Sequence, residues 1–430
     1  MEWFVWKRYA KYIMIYIEMM PVVLFGGGSV SLTSLSVATQ KQATECVPLL
    51  LLLDSSSPEL DAIAARLSEI GAYTGQWKVM VERQSVPRNR GDIEVRAHTG
   101  YPLVLYMHMD EDGAYVSGRL YDASAVEMLM GKRWARRDSI RAWAASIAHD
   151  LWCATMGTPS SFVSSIAYVR RTKKGKRFIS EICVADWDGE QQQTIVQRGT
   201  IVVGPAWSKT KGGQDRLLFS EFTAHNVRVM TTDLTGRVSV ALNLPGTTVG
   251  VVSEQSGAVV YCRSGELWEY IHDELLHQGK HILLLQEFPG PCACPAILGP
   301  DTIVYCAQGS IKLWNRKTRV SSLIDGASFC CSPTANGAQG IIVYSRRVKK
   351  IMQLFLYDMD SRLTRQITFG PGDKVDPTLS PCGTMVAYTY VYNQAHEIHL
   401  CTLANGMTRP ISPSGVYCIS PAWSGSACQE

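Results

Sequence analysis

From residue 162 onward the chain alternates. Runs such as 166–169, 216–219, 341–344 and 385–390 are rich in β-branched and aromatic residues, with apolar side chains two apart, and Gly, Pro, Asn and Asp stand between them. Asp376-Pro377-Thr378-Leu379-Ser380-Pro381-Cys382-Gly383 leads into 385–390. Pro fixes φ and Gly accepts positive φ, so Ser380-Pro381-Cys382-Gly383 predicts a tight turn and the whole stretch a hairpin. The construction returns in weaker form at Gly204-Pro205, Ser332-Pro333 and Ser420-Pro421. Ser380 and Ser424 are 44 residues apart and Ser332 and Ser380 are 48 apart, spacings that match one four-stranded propeller blade.

Within each unit the third strand is expected to end in a polar turn, as at 184–189, 230–236, 313–317, 356–360 and 400–406. A degenerate copy at 265–270 makes six units between 162 and 412. The first unit, beginning at Ile166, lacks an inner strand before it, and the last stretch, 420–424, is an inner strand with nothing after it. Joining the two closes a ring and removes the exposed edges of an open array.

Before residue 162 the period changes. Residues 46–53 form a continuous apolar strand, Ser57 and Pro58 can start a helix, and Leu60, Ile63, Ala64, Leu67 and Ile70 fall at helical spacing up to Gly71. Strands are expected at 77–81, 103–108, 115–121 and 126–130. A second helix follows Asp138 as its N-cap, with Ile140, Trp143, Ala144, Ile147, Ala148 and Leu151 on one stripe. The expected fold is an α/β N-terminal domain at 46–158 followed by an all-β six-bladed propeller at 162–424, closed by the C-terminal strand.

Residues 1–45 differ in kind. Lys7, Arg8 and Lys11 precede apolar residues at 12–17 and 19–25, and small residues follow to Ala38, the order of a signal peptide cleaved near residue 38. An uncleaved anchor and a misassigned start codon are the competing readings. At 430 residues, 46% apolar and 19% charged, the chain is globular, and a net charge of +4 is small for its size. The basic run at 170–177 reads as a solvated hairpin loop, too narrow for a nucleic-acid footprint, so no nucleic acid is expected. Thirteen cysteines lack zinc or thioredoxin spacing, and Cys183, Cys262, Cys306 and Cys401 lie in predicted strands as small hydrophobes. Disulfides remain the alternative.

Three segments carry a resemblance: 162–169, then Val184-Ala185-Asp186-Trp187-Asp188-Gly189, then Gly204-Pro205-Ala206-Trp207-Ser208, with Pro421-Ala422-Trp423-Ser424 at the end. In these, and in domain order and C-terminal closure, the chain resembles the TolB family, periplasmic components of the Tol-Pal system. Its Ser-Pro-Asp-Gly blade motif is degraded here, with Cys382 in the Asp position. The resemblance implies the periplasm and a non-enzymatic role in keeping the outer membrane attached during growth and division. It further implies a peptidoglycan-associated lipoprotein held at the propeller and an inner-membrane Tol protein at the N-terminal region.

A search for chemistry finds no nucleophile elbow, and no catalytic residue, metal or cofactor is expected. His272, Asp273, Glu274, His277 and His281 read as a solvated loop, His396 and His399 lie on opposite faces of a strand, Asp186 and Asp188 as turn formers, and Arg90-Gly91-Asp92 as chance. Two readings remain: an interaction scaffold, or a propeller enzyme or small-ligand binder using the central channel. The inner strands offer Trp207, Val251, Ile297, Cys330, Thr378 and Trp423, an apolar set that favours the scaffold. Loops from one blade to the next gather at one mouth of the channel. They carry Gly246, Thr247, Thr248, Gly290, Pro291, Ala327, Ser328, Asp373, Lys374, Val416 and Tyr417, to which loops within blades add His225 and Arg347. The resemblance implies that the lipoprotein docks there, with Thr247 and Thr248 in the position of the family's contacts.

Overall fold

The computed structural model describes residues 46–54, 57–83, 100–175, 177–210, 213–223, 227–242, 247–253, 259–273, 278–286 and 291–425. The proposed leader at 1–45 and Arg90-Gly91-Asp92 lie outside these residues. The first sheet has the order β2-β1-β3-β4-β5, with β1 Val47–Leu53, β2 Trp77–Arg83, β3 Leu103–Met109, β4 Tyr115–Asp122 and β5 Glu127–Ala135. β1 pairs parallel with both β2 and β3. Its leucine run follows from that central place: Leu49, Leu51 and Leu53 join the core that includes the helices, while Leu50 and Leu52 pack with Val104 and Tyr106 on the other face.

Helix α1 is Pro58–Thr74, capped by Ser57 Oγ, which accepts from Leu60 N at 3.5 Å. It does not stop at Gly71 as expected. The C-cap is Gly75, at φ +69, and Gly71 is inside the helix because a Cβ there would lie 2.8 Å from Trp77 O. Helix α2 is Ile140–Met156, and its N-cap is Ser139 rather than Asp138, with Oγ accepting from Ala142 N at 3.1 Å. Val126 is a turn residue at φ +55, which moves the start of β5 to Glu127.

Six four-stranded sheets follow. Blade 1 combines β29 Tyr417–Trp423 with β6 Ser165–Lys174, β7 Arg177–Asp186 and β8 Gln193–Arg198. Ile419 pairs with Val169 and Trp423 with Ile166, so the C-terminal strand closes the ring. The innermost strands of the other blades are β9 Ile201–Lys209, β13 Thr247–Ser253, β17 Cys292–Gly299, β21 Cys330–Asn336 and β25 Asp373–Leu379. Each touches its two neighbours around the channel.

Five of these strands carry the same bulge. Gly204, Cys294, Ser332, Asp376 and Ser420 all have positive φ, from +49° to +59°, and each is followed by proline. The pairing with the second strand of each blade shifts register at this point. This sets the repeat: Ser332, Asp376 and Ser420 are equivalent and 44 residues apart, as are Asn336 and Ser380. Ser332 and Ser380, 48 residues apart, are therefore not equivalent, since one Ser-Pro is the bulge and the other the turn. Threonine two places past the bulge ties blades together, Thr334 Oγ1 accepting from Leu379 N at 3.3 Å and Thr378 Oγ1 from Trp423 N at 3.1 Å.

Three other expectations change. Segment 265–270 opens the third strand of its blade, β15 Glu266–Asp273, rather than ending it. His272 and Asp273 end that strand and His281 lies on its hairpin partner β16 Gln278–Leu285, so the histidine-rich stretch is a hairpin, with 274–277 outside the described residues. The basic run is mostly strand, because β6 and β7 are ten residues each with a short turn between them.

Candidate functional site

The channel holds a group that the apolar inner-strand pattern did not reveal. At the bulge, Asp376 accepts from Ser332 Oγ at 3.0 Å and from Ser420 Oγ at 3.5 Å, so three adjacent blades meet on one carboxylate. Burial pushes its pKa up, and the two serine hydroxyls pull the other way. The sequence signal for it is the residue before an inner-strand proline, which recurs at 44-residue spacing at Ser332, Asp376 and Ser420.

At the end of the ring where the inner strands start, the structure places all the described mouth residues. His225, Gly246 and Gly290 lie outside the described residues, and Thr247 and Thr248 begin β13. Pro291 is exposed and packs over Gly265. Ala327 N donates to Asp325 Oδ1 at 3.0 Å. Ser328 Oγ donates to Arg347 O at 2.9 Å, and the Arg347 guanidinium lies 4.8 Å from the centre of the Phe329 ring. Asp373 Oδ1 accepts from Met352 N at 2.7 Å, tying the loop between blades 5 and 6 to a hairpin of blade 5.

Lys374 does not present its charge to a partner. Only 3% of it is exposed, and Nζ donates to the carbonyls of Gly370, Pro371 and Gly372 at 3.0, 2.6 and 2.9 Å. The repeat explains this: two places before the bulge stand Cys292, Cys330 and Cys418, all buried, and Lys374 fills the same slot. Val416 and Tyr417 are half-buried at the start of β29. The Tyr417 ring lies 4.0 Å from His396, on β27 Ala395–Thr402, and 5.5 Å from the Arg171 guanidinium. Arg171, His396 and Phe329 were not among the expected mouth residues. Arg171 was legible by position, since it precedes the hairpin between the second and third strands of blade 1, as Arg347 does in blade 5.

The opposite end of the ring is covered by the α/β domain. Tyr73 OH donates to Leu400 O at 3.2 Å, and Phe162 packs against Trp152 and Trp187 with centroids 5.6 and 5.3 Å away. Asp188, expected as a turn former, has a side chain 1% exposed and ion-pairs with both Arg66 of α1 and Arg141 of α2. Arg409 stacks on Tyr73, 4.1 Å from the ring centre. Cys382 Sγ is 3.0 Å from Ser161 Oγ and 2.9 Å from Thr384 Oγ1, joining blade 6 to the segment that enters the propeller. His281 Nδ1 lies 2.9 Å from Tyr261 OH, and His399 Nε2 lies 3.0 Å from Glu397. Among the described residues no three His, Cys, Asp or Glu side chains gather as metal ligands.

An α/β domain seated on one end of a C-terminally closed six-bladed propeller is the class of protein this fold defines. In sequence the chain is similar to the Tol-Pal system protein TolB of Alkalilimnicola ehrlichii, 26% identical over 183 residues, or 41% of this chain and 42% of that protein. It is 28% identical over 190 residues to the Tol-Pal system protein TolB of Xanthomonas campestris pv. campestris, 42% of this chain and 41% of that protein. The matches thus span less than half the length of these curated relatives. The crystal structure of TolB from Acinetobacter baumannii has the same fold, with a TM-score of 0.70 at 16% identity over 89% of this chain and 97% of that one. No family model matches the sequence. No helix among the described residues is long and apolar enough to cross a membrane.

Proposed function

We propose that this chain is a non-enzymatic interaction scaffold of a Tol-Pal-like complex in the periplasm, supporting outer-membrane integrity and invagination during cell division. The likeness to proteins named Tol-Pal system protein TolB carries this reading. The arrangement of the molecule supports it, since one end of the propeller is taken by the α/β domain while the mouth carries half-buried aromatic and cationic side chains. In this reading residues 1–45 direct export, 46–158 and 162–424 are the two domains, an inner-membrane Tol protein engages the N-terminal region, and a peptidoglycan-associated lipoprotein docks at the mouth. Tyr417 and Arg347 are its strongest contacts by residue type, and Lys374 shapes the loop from within. Affinity capture from envelope extract tests the proposal. Recovery of the lipoprotein is expected, and recovery of cytosolic proteins alone overturns it.

A second reading, a small-ligand binder using the channel, is favoured by one observation, the Ser332–Asp376–Ser420 cluster. It requires a ligand whose binding is lost in Asp376→Ala while capture at the mouth persists.

A further inference from the structure

We propose that Arg171, Tyr417 and His396 form a carboxylate-binding subsite at the mouth, where blade 6 meets blade 1, and that an Asp or Glu side chain of a docked protein occupies it. The occupant's being a docked protein rests on the scaffold reading above; the subsite itself rests on the geometry.

Several half-buried arginines of the propeller hold an acid, while Arg347 and Arg409 lie on rings, as Arg171 does. Arg170, the next residue, holds Glu181 at 2.8 Å, Arg346 holds Asp325 at 3.1 Å, and Arg198 lies 3.7 Å from Glu221. Arg171 is half-buried and meets no carboxylate within ion-pair distance among the described residues; what it meets is the Tyr417 ring. Its Nε is buried without a hydrogen-bond partner, as are those of Arg198 and Arg346, and so is Nδ1 of His396, whose ring lies 4.0 Å from the Tyr417 ring. Two buried polar nitrogens without partners, beside one aromatic ring, come from two different blades. Leaving such groups unpaired costs stability, which a ligand that satisfies them gives back.

The chemistry selects the ligand class. A guanidinium offers a planar fork of N–H donors that fits the two oxygens of a carboxylate, and stacking against a ring holds that plane in place before the ligand arrives. His396 is kept neutral by burial and by the charge of Arg171, so one of its ring nitrogens is free to donate from the side. A lysine-rich or neutral segment finds nothing complementary here. An acidic side chain on a protruding loop finds a cation, a donor and an aromatic wall.

The test uses the full chain with histidine side chains labelled at 13Cε1 and the His396 signal assigned by its loss in His396→Gln. The probe is a blocked five-residue peptide of Gly and Ser around a single central Glu, and the control is the same peptide with Gln. The Glu peptide is expected to shift the His396 signal and to bind about fivefold more tightly than the Gln peptide. Arg171→Met, which keeps the aliphatic stem, removes the difference, and Arg171→Lys, which keeps charge without the fork, retains part of it. Equal binding of the two peptides to a folded parent, or a difference that survives in Arg171→Met, overturns the subsite. The envelope capture above reads the scaffold proposal separately: Glu-over-Gln selectivity with no envelope protein captured leaves the subsite standing and removes its assigned occupant. Lipoprotein capture with equal peptide binding does the reverse.

Discussion

The two ends of the propeller ring have been finished differently. At the end under the α/β domain a buried carboxylate is shared, Asp188 sitting between Arg66 and Arg141, while Tyr73 OH reaches Leu400 O, Trp423 Nε1 donates to Ser164 Oγ at 2.6 Å, and Arg409 alone of the cations named at this end lies on a ring, that of Tyr73. At the mouth the cations lie on rings, Arg171 on Tyr417 and Arg347 on Phe329, with no acid beside them among the described residues. A contact that forms once, during folding, can afford buried ion pairs. A surface that must bind and release keeps aromatic anchors and uncommitted charge. In the scaffold proposed above, the difference separates a permanent interface from a docking surface.

Closure of the ring underlies both ends, so breaking it has the largest effect. Deleting residues from Pro421 onward removes Ala422 and Trp423 from their pairing with Ala167 and Ile166 and strips Trp207 Nε1 of its acceptor, Ala422 O. Loss of the cooperative thermal transition is expected; an unchanged Tm would show that the strand is dispensable and the ring open. Asp188→Ala comes next. It leaves two arginines at the domain interface without their shared carboxylate, at a cost of about 3 kcal/mol, seen as a lower denaturant midpoint. Binding at the mouth should be untouched in the folded fraction, and a parallel loss there would merge the two ends into one cooperative site.

Within the mouth, Lys374→Ala and Tyr417→Ala divide the same comparison. Lys374 holds three carbonyls of its own loop, so its removal lowers stability by about 1–2 kcal/mol. Tyr417→Ala instead weakens partner binding, by about 2 kcal/mol if it is an anchor, with the smaller change in Tm. The opposite pattern, a stable Lys374→Ala with lost binding, would return the lysine to the contact surface.

Much of this architecture could be read from the sequence because it is written locally. Alternation, prolines and turn glycines announce strands without reference to distant residues, and the unpartnered strand at 420–424 announced closure. What was illegible depends on contacts far along the chain. Asp188 looks like a turn residue until Arg66, 122 residues earlier, is brought to it. Gly71 looks like a helix terminator until Trp77 O is seen to need its missing Cβ. Lys374 lies between these cases. Its sequence neighbourhood reads as an exposed loop, yet the 44-residue register sets it among Cys292, Cys330 and Cys418, and the correct alignment of bulges predicts its burial.

The smallest expected effect belongs to the channel between the two ends, and its sign follows from Asp376. Burial raises the pKa of this carboxyl in the folded protein above its ordinary 3.8. Below that value the group is protonated in both the folded and unfolded states, and it contributes no pH dependence. As pH rises past 3.8 the unfolded chain gives up the proton first, the folded chain binds more, and stability falls until the raised folded pKa is passed. Above it the ionised carboxylate is held, among the described residues, by the hydroxyls of Ser332 and Ser420. Asp376→Asn cannot ionise and keeps an acceptor for one of those serines, so any change in hydrogen bonding is a constant offset. The Tm of the variant minus that of the parent should therefore grow as the pH rises above 3.8, until the raised folded pKa is passed. A difference that stays flat would mean the carboxylate is solvated through the channel as well as in bulk water, and one that shrinks would mean that a cationic group stabilises it in the folded ring.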